Sequence, residues 1–276
     1  TLLAIAMVLT AERDIEGAAA AADCVVKIHF RLAEYLRAGL TLAEIDQFVS
    51  QALDDLDCTS AFLRYRIPGH APFPSHACLS VNDCIVHGTH HMTDRPLQPG
   101  DLFKIDIGTV HKGWVGDAAW SYAIEYATDD AAALMDAGKD CLKRGLDAIQ
   151  PGRPLMDWAK AVQDCVEKEH GLHLVRGLGG HGYGHKLHGP PFVSNVRPRH
   201  RLEWPDAWTS FQPGMLLALE PMLALTTKQI ASKPNAWPIF TADGSLSVHY
   251  EADVIVADEG VRNLTEAMNN LPDVVG

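Results

Sequence analysis

Four carboxylates lie inside apolar stretches of this sequence. Asp106 is preceded by Phe-Lys-Ile, Asp117 follows eleven residues later, Glu220 lies in Leu-Ala-Leu-Glu-Pro, and Glu251 precedes a run of β-branched residues. A buried carboxylate is costly unless it is paired or binds a metal ion. Lys104 is the only basic residue inside these stretches, so structural ion pairs explain them poorly. The four acids therefore favour a metal site.

Histidines add to this pattern. His181 lies in the glycine-rich segment Gly-Gly-His-Gly-Tyr-Gly, which lets the backbone approach another group closely with an imidazole aimed at it. His188 follows seven residues later, and His87 precedes a glycine. Four carboxylates and one imidazole suit divalent ions such as Mn²⁺, Fe²⁺ and Co²⁺. Two such ions, about 3.5–4 Å apart, activate water and polarise a carbonyl oxygen, so we predict metal-assisted hydrolysis.

The elements that position two of these acids begin with the same turn motif. Gln-Pro-Gly at 98–100 is followed, six residues after its glycine, by Asp106, and Gln-Pro-Gly at 212–214 is followed at the same offset by Glu220. The residues between are mostly apolar, so each copy predicts a tight turn, a buried strand and a carboxylate. A third copy at 150–152 has no strand or acid after it. We interpret the two matched copies as related halves that face a shared cleft.

Periodicity predicts helices around these strands. Apolar residues at steps of three and four from Ile15 to Leu36 predict a helix that ends at Gly39, and Thr41 with Glu44 predicts a capping box for a second helix. Two later helices are predicted at 129–149 and 154–170, strands at 77–86 and 102–110, an irregular loop at 62–76, and short strands up to about 265. This mixture predicts the α+β class.

A turn at 111–113 separates the strand that carries Asp106 from the segment that carries Asp117. A hairpin of that length is expected to bring the two acids nearly opposite each other. Two adjacent carboxylates repel each other unless a cation lies between them.

The composition excludes several classes of protein. The 276 residues carry 23 Lys and Arg against 35 Asp and Glu, a net charge of −12, which argues against a nucleic-acid groove. Six cysteines form no CxxC pair, so we expect reduced, buried thiols. The apolar run at 2–9 is too short to cross a membrane. We expect residues 1–9 to be an N-terminal arm and residues 1–276 to form a single catalytic domain that is monomeric, cytoplasmic and not associated with a membrane.

Five motifs, in order, resemble those of the methionine aminopeptidases of the pita-bread metallopeptidase family. The resemblance covers roughly residues 10 to 265. It implies a pita-bread fold, in which two pseudo-symmetric halves with mixed and antiparallel sheet and flanking helices surround a central metal cleft. The absence of a long insertion makes the chain similar to the type I branch. The motifs are Cys-Leu-Ser-Val-Asn-Asp at 78–83 with His87-Gly88, Ile105-Asp106 with Asp117, Gly-His-Gly-Tyr-Gly at 180–184 with His188, Leu219-Glu220-Pro221, and Tyr250-Glu251.

The resemblance also implies the metal ligands. Asp106 would hold one ion, His181 and Glu220 would hold the other, and Asp117 and Glu251 would bridge both. The cofactor would be two divalent ions, Fe²⁺, Mn²⁺ or Co²⁺, with Zn²⁺ also accepted.

By the same resemblance, Glu220 would accept the proton of the attacking water. His87 would hydrogen-bond the scissile amide or its leaving nitrogen, and His188 would stabilise the developing oxyanion. Both histidines would therefore also bind substrate.

The pocket for the substrate side chain departs from the family pattern. Phe73, Cys78 and Trp237 occupy expected pocket positions, but His70 replaces an aromatic residue and Leu187 replaces a common Phe. These differences concern selectivity rather than the class of reaction, because an apolar, unbranched side chain still fits such a pocket.

The expected activity is removal of N-terminal methionine from nascent proteins and peptides with a small second residue, with transient ribosome contact through a local patch. Within the same fold, an X-Pro aminopeptidase or prolidase is an alternative, although those enzymes usually carry an extra N-terminal domain. A catalytically inactive pita-bread binding protein is another. Such proteins typically lose a ligand, whereas all five ligand residues are present here.

Overall fold

The computed structural model describes residues 7–276. Of the expected N-terminal arm, residues 1–6 lie outside the described residues. Residues 7–9 pack against the second half of the chain, where the Leu9 N–H donates to the Gly214 carbonyl at 2.8 Å. Four α-helices are present in the described part: α1 (Glu12–Tyr35), α2 (Leu42–Asp55), α3 (Asp129–Asp147) and α4 (Met156–Gln163). A π-helical turn at Asp164–Glu169 continues α4, and short 3-10 helices lie at Pro205–Trp208 and Glu266–Asn270.

Sixteen strands form four sheets within the described residues. All pairs of strands are antiparallel except β5 with β16, so the sheets are antiparallel and mixed. The strands are β1 (Thr59–Ser60), β2 (Cys78–Val81), β3 (Cys84–Val86), β4 (Leu102–His111), β5 (Trp114–Ile124), β6 (His173–Leu174), β7 (Gly179–Gly182), β8 (Gly189–Ser194), β9 (Leu216–Leu219), β10 (Met222–Ala224), β11 (Ile230–Ser232), β12 (Ile239–Thr241), β13 (Ser247–His249), β14 (Ala252–Val256), β15 (Val261–Asn263) and β16 (Val274–Val275).

The first half is built on the β4–β5 hairpin. Lys112 and Gly113 form its two-residue turn with φ values of +49° and +85°, which matches the right-handed twist of the strands. Helix α1 covers both strands. The approach is so close that a Cβ at Gly116 would lie 2.5 Å from the Ala21 carbonyl oxygen. This tight packing makes the hairpin a rigid platform.

The second half is built on the sheet ordered β15-β14-β9-β7-β8. Helix α3 packs against β10 and β13, and α4 packs against β8. The Gln-Pro-Gly turns before β4 and β9 have the same glycine conformation, in the left-handed region, with φ values of +85° and +87°. The copy at 150–152 also turns, with φ of +81°, but no strand follows it directly.

Hydrogen bonds from backbone N–H groups to a carbonyl and to a carboxylate join the two halves along β5. The Glu251 N–H donates to the Ala119 carbonyl at 3.0 Å, and the Asp117 N–H donates to Asp253 Oδ2 at 2.7 Å. The main apolar core is continuous across this seam. It contains buried residues of both halves, among them Phe103 and Leu219.

Most predicted elements are confirmed, with local corrections. The first helix ends at Tyr35, before the turn that contains Gly39. The segment 77–86 is two strands, because Asn82 turns the chain with a φ of +52°. The helix expected at 154–170 becomes π-helical after Gln163. The capping box is confirmed: the Glu44 N–H donates to Thr41 Oγ1 at 3.2 Å, and the Thr41 N–H donates to Glu44 Oε2 at 2.8 Å.

All six cysteines are free and buried, as predicted. Among residues 7–276, none of the helices combines the length and the apolar character that a membrane crossing requires.

Candidate metal and peptidase site

One cavity of about 170 Å³ lies at the seam between the halves. It is comparable in size to a cavity of about 150 Å³ that admits benzene, so it can accept one amino-acid side chain. Its lining includes every site residue that the sequence predicts: Phe73, Cys78, His87, Asp106, Asp117, His181, Leu187, His188, Glu220, Trp237 and Glu251. Phe62, Tyr65 and Ile67 also line it.

Both aspartates come from the β4–β5 hairpin. Asp106 pairs with Ala119, whereas Asp117 pairs with Gly108. The acids are therefore on one face of the hairpin and offset by two residues, which agrees with the expectation that they lie nearly opposite each other. On the other side of β4, its pairing with β2 places Cys78 beside Asp106.

The other predicted ligand residues come from the second half. Glu220 follows β9 directly, and Glu251 lies between β13 and β14. His181 lies on β7 opposite Ala218 of β9, and a Cβ at Gly180 would lie 2.3 Å from the Ala218 carbonyl oxygen. The glycine before His181 is therefore required by close strand packing, which helps to aim the imidazole at the acids.

The imidazole of His181 lies between acids of both halves. Its Nε2 is 3.6 Å from Asp117 Oδ2 and 3.8 Å from Glu220 Oε1. The ligand atoms of Asp117, His181 and Glu251 all lie within 4.8 Å of one another, and so do those of Glu220, His249 and Glu251. Two overlapping groups of ligand atoms that share Glu251 match the donor arrangement of a two-ion site.

Burial makes the charged forms of these acids unfavourable. It raises the pKa of Asp106 to about 7. Burial, followed by the charge of Asp106, raises the pKa of Asp117 well above its usual value. Burial is also the main cause of the raised pKa values of Glu220 and Glu251. Four such acids in one cavity need positive charge to be ionised together near neutral pH.

That positive charge does not come from basic side chains. In the part of the chain that the structure describes, the ion-pair partners of these acids within 4.0 Å are His181 and His249 alone. Lys104 turns away and donates to the Asn82 carbonyl at 2.6 Å. Across residues 7–276, Asp106 Oδ1 and Asp117 Oδ1 are buried without a hydrogen-bond partner. Buried polar atoms normally have partners, so this donor set fits bound divalent cations.

Two further histidines face the same cavity. His87 is held in the left-handed region, with a φ of +57°, and burial lowers its pKa to about 4. Burial also lowers the pKa of His188, whose Nδ1 is hydrogen-bonded to the Tyr65 hydroxyl at 2.6 Å. Both imidazoles are therefore neutral near pH 7 and can each donate one N–H to a substrate.

An apolar pocket adjoins the acids. The ring of Phe73 meets that of Trp237 edge-on, with centroids 5.2 Å apart, and Trp237 Nε1 donates to the Ala71 carbonyl at 2.9 Å. Leu187 is only 6% exposed and lies in the same small apolar cluster. His70 lies 5.1 Å from Trp237 but does not line the cavity.

Besides the apolar lining residues Phe62 and Ile67, sequence reasoning missed three polar residues of this site and its immediate surroundings: Tyr65, His249 and Asp253. The alternation His249, Glu251, Asp253 was a usable signal, because residues two apart in a strand share a face. Tyr65 gave no signal, because it lies in an irregular loop whose path the local sequence does not specify.

Comparison with known proteins agrees with this geometry. The chain is 35% identical over 254 residues to methionine aminopeptidase 1 of Mycobacterium tuberculosis. The aligned region covers 90% of this chain and 91% of that protein. The structure of methionine aminopeptidase from Rickettsia prowazekii matches with a TM-score of 0.86 and 25% identity, over 95% of this chain and 100% of that chain. The α+β pita-bread fold is therefore confirmed.

Prolidase from Pyrococcus furiosus shares the fold at a TM-score of 0.71 but is 18% identical, and the match covers 94% of this chain and 65% of that one. The model of metallopeptidase family M24 matches residues 16–258. With the ordered motifs and the shared cavity geometry, this match shows that the chain belongs to metallopeptidase family M24.

Proposed function

We propose that this chain removes N-terminal methionine from nascent proteins and peptides whose second residue is small. One observation carries the proposal. A single cavity joins the five predicted metal ligands, all buried or largely buried, to an apolar pocket large enough for one side chain. An exopeptidase that recognises a terminal apolar residue needs this combination of hydrolytic centre and pocket.

We assign the metal ligands as the motifs predict. Asp106 would hold one divalent ion, His181 and Glu220 would hold the other, and Asp117 and Glu251 would contribute to holding both. The ions are Fe²⁺, Mn²⁺ or Co²⁺, with Zn²⁺ also accepted, since carboxylates and imidazole bind all four. When bound, they provide Lewis acidity toward the scissile carbonyl and lower the pKa of water.

Glu220 accepts the proton of the attacking water. Glu220 directly follows β9, and its carboxylate faces the cavity with Oε1 at 3.8 Å from His181 Nε2. Burial raises its pKa above the usual value for Glu. A carboxylate at this position can take up a proton from water and release it later in turnover.

His188 stabilises the carbonyl oxygen as it becomes negative, and His87 hydrogen-bonds the scissile amide or its leaving nitrogen. The hydrogen bond with Tyr65 supports the role of His188. If the Tyr65 hydroxyl donates to Nδ1, the imidazole proton is placed on Nε2, where it is available to substrate. A positioned donor of this kind stabilises a developing oxyanion.

Phe73, Cys78, Leu187 and Trp237 accept the methionine side chain. The two aromatic rings form adjoining walls, and the unbranched thioether chain of methionine fits an irregular apolar space. Phe62, Tyr65 and Ile67 complete the lining.

The two alternatives have weaker support. The similarity to prolidase is a similarity of fold alone, at 18% identity. An inactive binding protein would not need the five predicted ligand residues to converge in one cavity without Lys or Arg partners.

Mass spectrometry of a mixed peptide pool tests the proposal. The pool holds peptides that begin with Met-Gly, Met-Ala, Met-Leu and Ala-Pro, and the protein is assayed after chelation and again with Fe²⁺, Mn²⁺ or Co²⁺. We expect metal-dependent loss of methionine before Gly and Ala only. Cleavage of Ala-Pro peptides instead would contradict the substrate, and no cleavage with two ions bound would contradict the peptidase function.

We also propose that residues 1–276 act as a single catalytic domain, as a cytoplasmic monomer that meets nascent chains in transient contact with the ribosome. The continuous core across both halves supports the single domain. Sedimentation of the protein with and without ribosomes tests the oligomeric state and the contact together.

A further inference from the structure

His249 lies beside the carboxylates of Glu220 and Glu251 but does not line the cavity, and none of the roles proposed above involves it. Its side chain is 2% exposed. Its Nε2 is buried without a hydrogen-bond partner anywhere in residues 7–276. A buried imidazole nitrogen that points at two acids, yet satisfies no hydrogen bond, calls for another partner.

The surrounding acids define where that partner would lie. His249 Nε2 is 3.3 Å from Glu220 Oε2 and 4.0 Å from Glu251 Oε2. Two ligand atoms that share one ion at about 2.0–2.2 Å lie roughly 3.0–4.3 Å apart, depending on the angle between them. Both separations fall in this range, so His249 Nε2 can share an ion with either carboxylate, and the ligand atoms of all three residues lie within 4.8 Å of one another.

The position of His249 is set by both halves of the molecule. Its N–H donates to Ser121 Oγ at 3.1 Å, and the Ser121 hydroxyl donates to the His249 carbonyl at 2.8 Å. On its other side, strand β13 pairs His249 with Met222, two residues after Glu220. The imidazole is therefore held against Glu220 by backbone contacts rather than by a flexible loop.

The Glu220 carboxylate lies between two imidazoles. Its Oε1 is 3.8 Å from His181 Nε2, and its Oε2 is 3.3 Å from His249 Nε2. His181 lines the cavity, whereas His249 does not. A role for His249 in contacting substrate is therefore excluded by its position, and a role toward the metal centre is favoured.

We propose that His249 is a sixth protein ligand of this centre and binds, through Nε2, the ion held by Glu220. The inference rests on the proposed function, since it assumes that a divalent ion is bound there. A second imidazole favours Fe²⁺, Co²⁺ and Zn²⁺ over Mn²⁺, which prefers oxygen ligands.

X-ray absorption spectroscopy of the full chain loaded with two equivalents of Co²⁺ tests the proposal, because imidazole ligands give a characteristic outer-shell scattering. We expect two imidazoles per pair of ions in the natural protein. His249→Gln and His249→Ala should each show one. His87→Asn, which changes a cavity histidine outside both ligand groups, should still show two.

Calorimetric titration provides a second readout that does not depend on activity. His249→Gln should weaken one of the two Co²⁺ binding events by at least tenfold and weaken Mn²⁺ binding less. The glutamine variant keeps a side chain of similar size that can hydrogen-bond Glu220, so it separates metal ligation from support of Glu220. Thermal unfolding of the metal-free variants verifies that they are folded.

An unchanged imidazole count in His249→Gln, with Co²⁺ affinity as in the natural protein, would overturn the proposal. That failure is distinguishable from failure of the proposed function. If the natural protein releases methionine in a metal-dependent way but the imidazole count is unchanged in His249→Gln, only the ligand role of His249 is refuted. If the imidazole count falls in His249→Gln but the natural protein cleaves no peptide, only the peptidase function is refuted.

Discussion

His181 Nε2 lies 3.6 Å from Asp117 Oδ2, although the two residues belong to different halves of the fold. His181 is on β7 and Asp117 is on β5, and the seam along β5 brings them together. The centre therefore exists only when both halves are docked. Metal binding should accordingly stabilise the folded chain as a whole, because the ligands are dispersed in the unfolded state.

Glu220→Gln tests the proposed base. The amide keeps the size of the side chain but cannot accept a proton, so kcat for methionine release should fall by about 10²- to 10⁴-fold. The metal-free variant should be at least as stable as the natural protein, because it no longer buries an ionisable group. Glu34→Gln, on the exposed face of α1, is the matched control and should leave both quantities unchanged. Near-normal turnover by Glu220→Gln would remove Glu220 from this role.

Asp106→Asn tests the electrostatics of the metal-free site. Burial raises the pKa of Asp106 to about 7, so the folded protein binds this proton more tightly than the unfolded chain does. The contribution of Asp106 to stability is therefore present at low pH and is lost as pH rises through about 4 to 7. Buried histidines with lowered pKa values change stability in the opposite direction, so only the difference between the variant and the natural protein isolates this effect.

In denaturant unfolding after chelation, Asp106→Asn should gain stability over the natural protein as pH rises from 4 to 8. The gain should be on the order of a few kcal/mol. Added Mn²⁺ or Co²⁺ should reverse the difference, since the variant loses a ligand. A difference that does not depend on pH would show that the Asp106 carboxylate is not buried as described.

Leu187→Phe tests the methionine pocket. Leu187 lines the cavity and is 6% exposed, so a larger ring should narrow the space for the substrate side chain. We expect the ratio of cleavage of Met to that of Leu or norleucine to change more than stability does. Overpacking should cost at most about 1–3 kcal/mol. Leu202→Phe, at a site 84% exposed, serves as the control. An unchanged ratio would exclude Leu187 from the pocket.

Tyr65→Phe tests the support of His188. Removal of the hydroxyl deletes the 2.6 Å hydrogen bond to His188 Nδ1 but keeps the ring. We expect kcat to fall by about tenfold with little change in KM, because the imidazole is less well oriented for the oxyanion. Nitrogen NMR of His188 should show a changed tautomer population. Tyr35→Phe, whose ring stacks on Phe48 away from the cavity, should show neither effect.

Much of this site can be predicted from the sequence because its signals are local. Thr41 and Glu44 form a capping box wherever they begin a helix, and Gln-Pro-Gly turns the chain in all three of its copies. An acid in an apolar strand, such as Asp106, implies a buried charge and therefore a partner. The order and types of the five predicted ligand residues thus indicated the class of chemistry and the family.

Only the tertiary structure decided how these residues meet. The register of β4 and β5 offsets Asp106 from Asp117 by two residues, and strand register depends on packing of whole faces rather than on any single residue. The place of His249 depends on hydrogen bonds to Ser121, 128 positions earlier in the chain. Tyr65 reaches His188 from a loop without periodicity. Such contacts between distant residues have no signature in either local sequence, so they arise when the two halves dock.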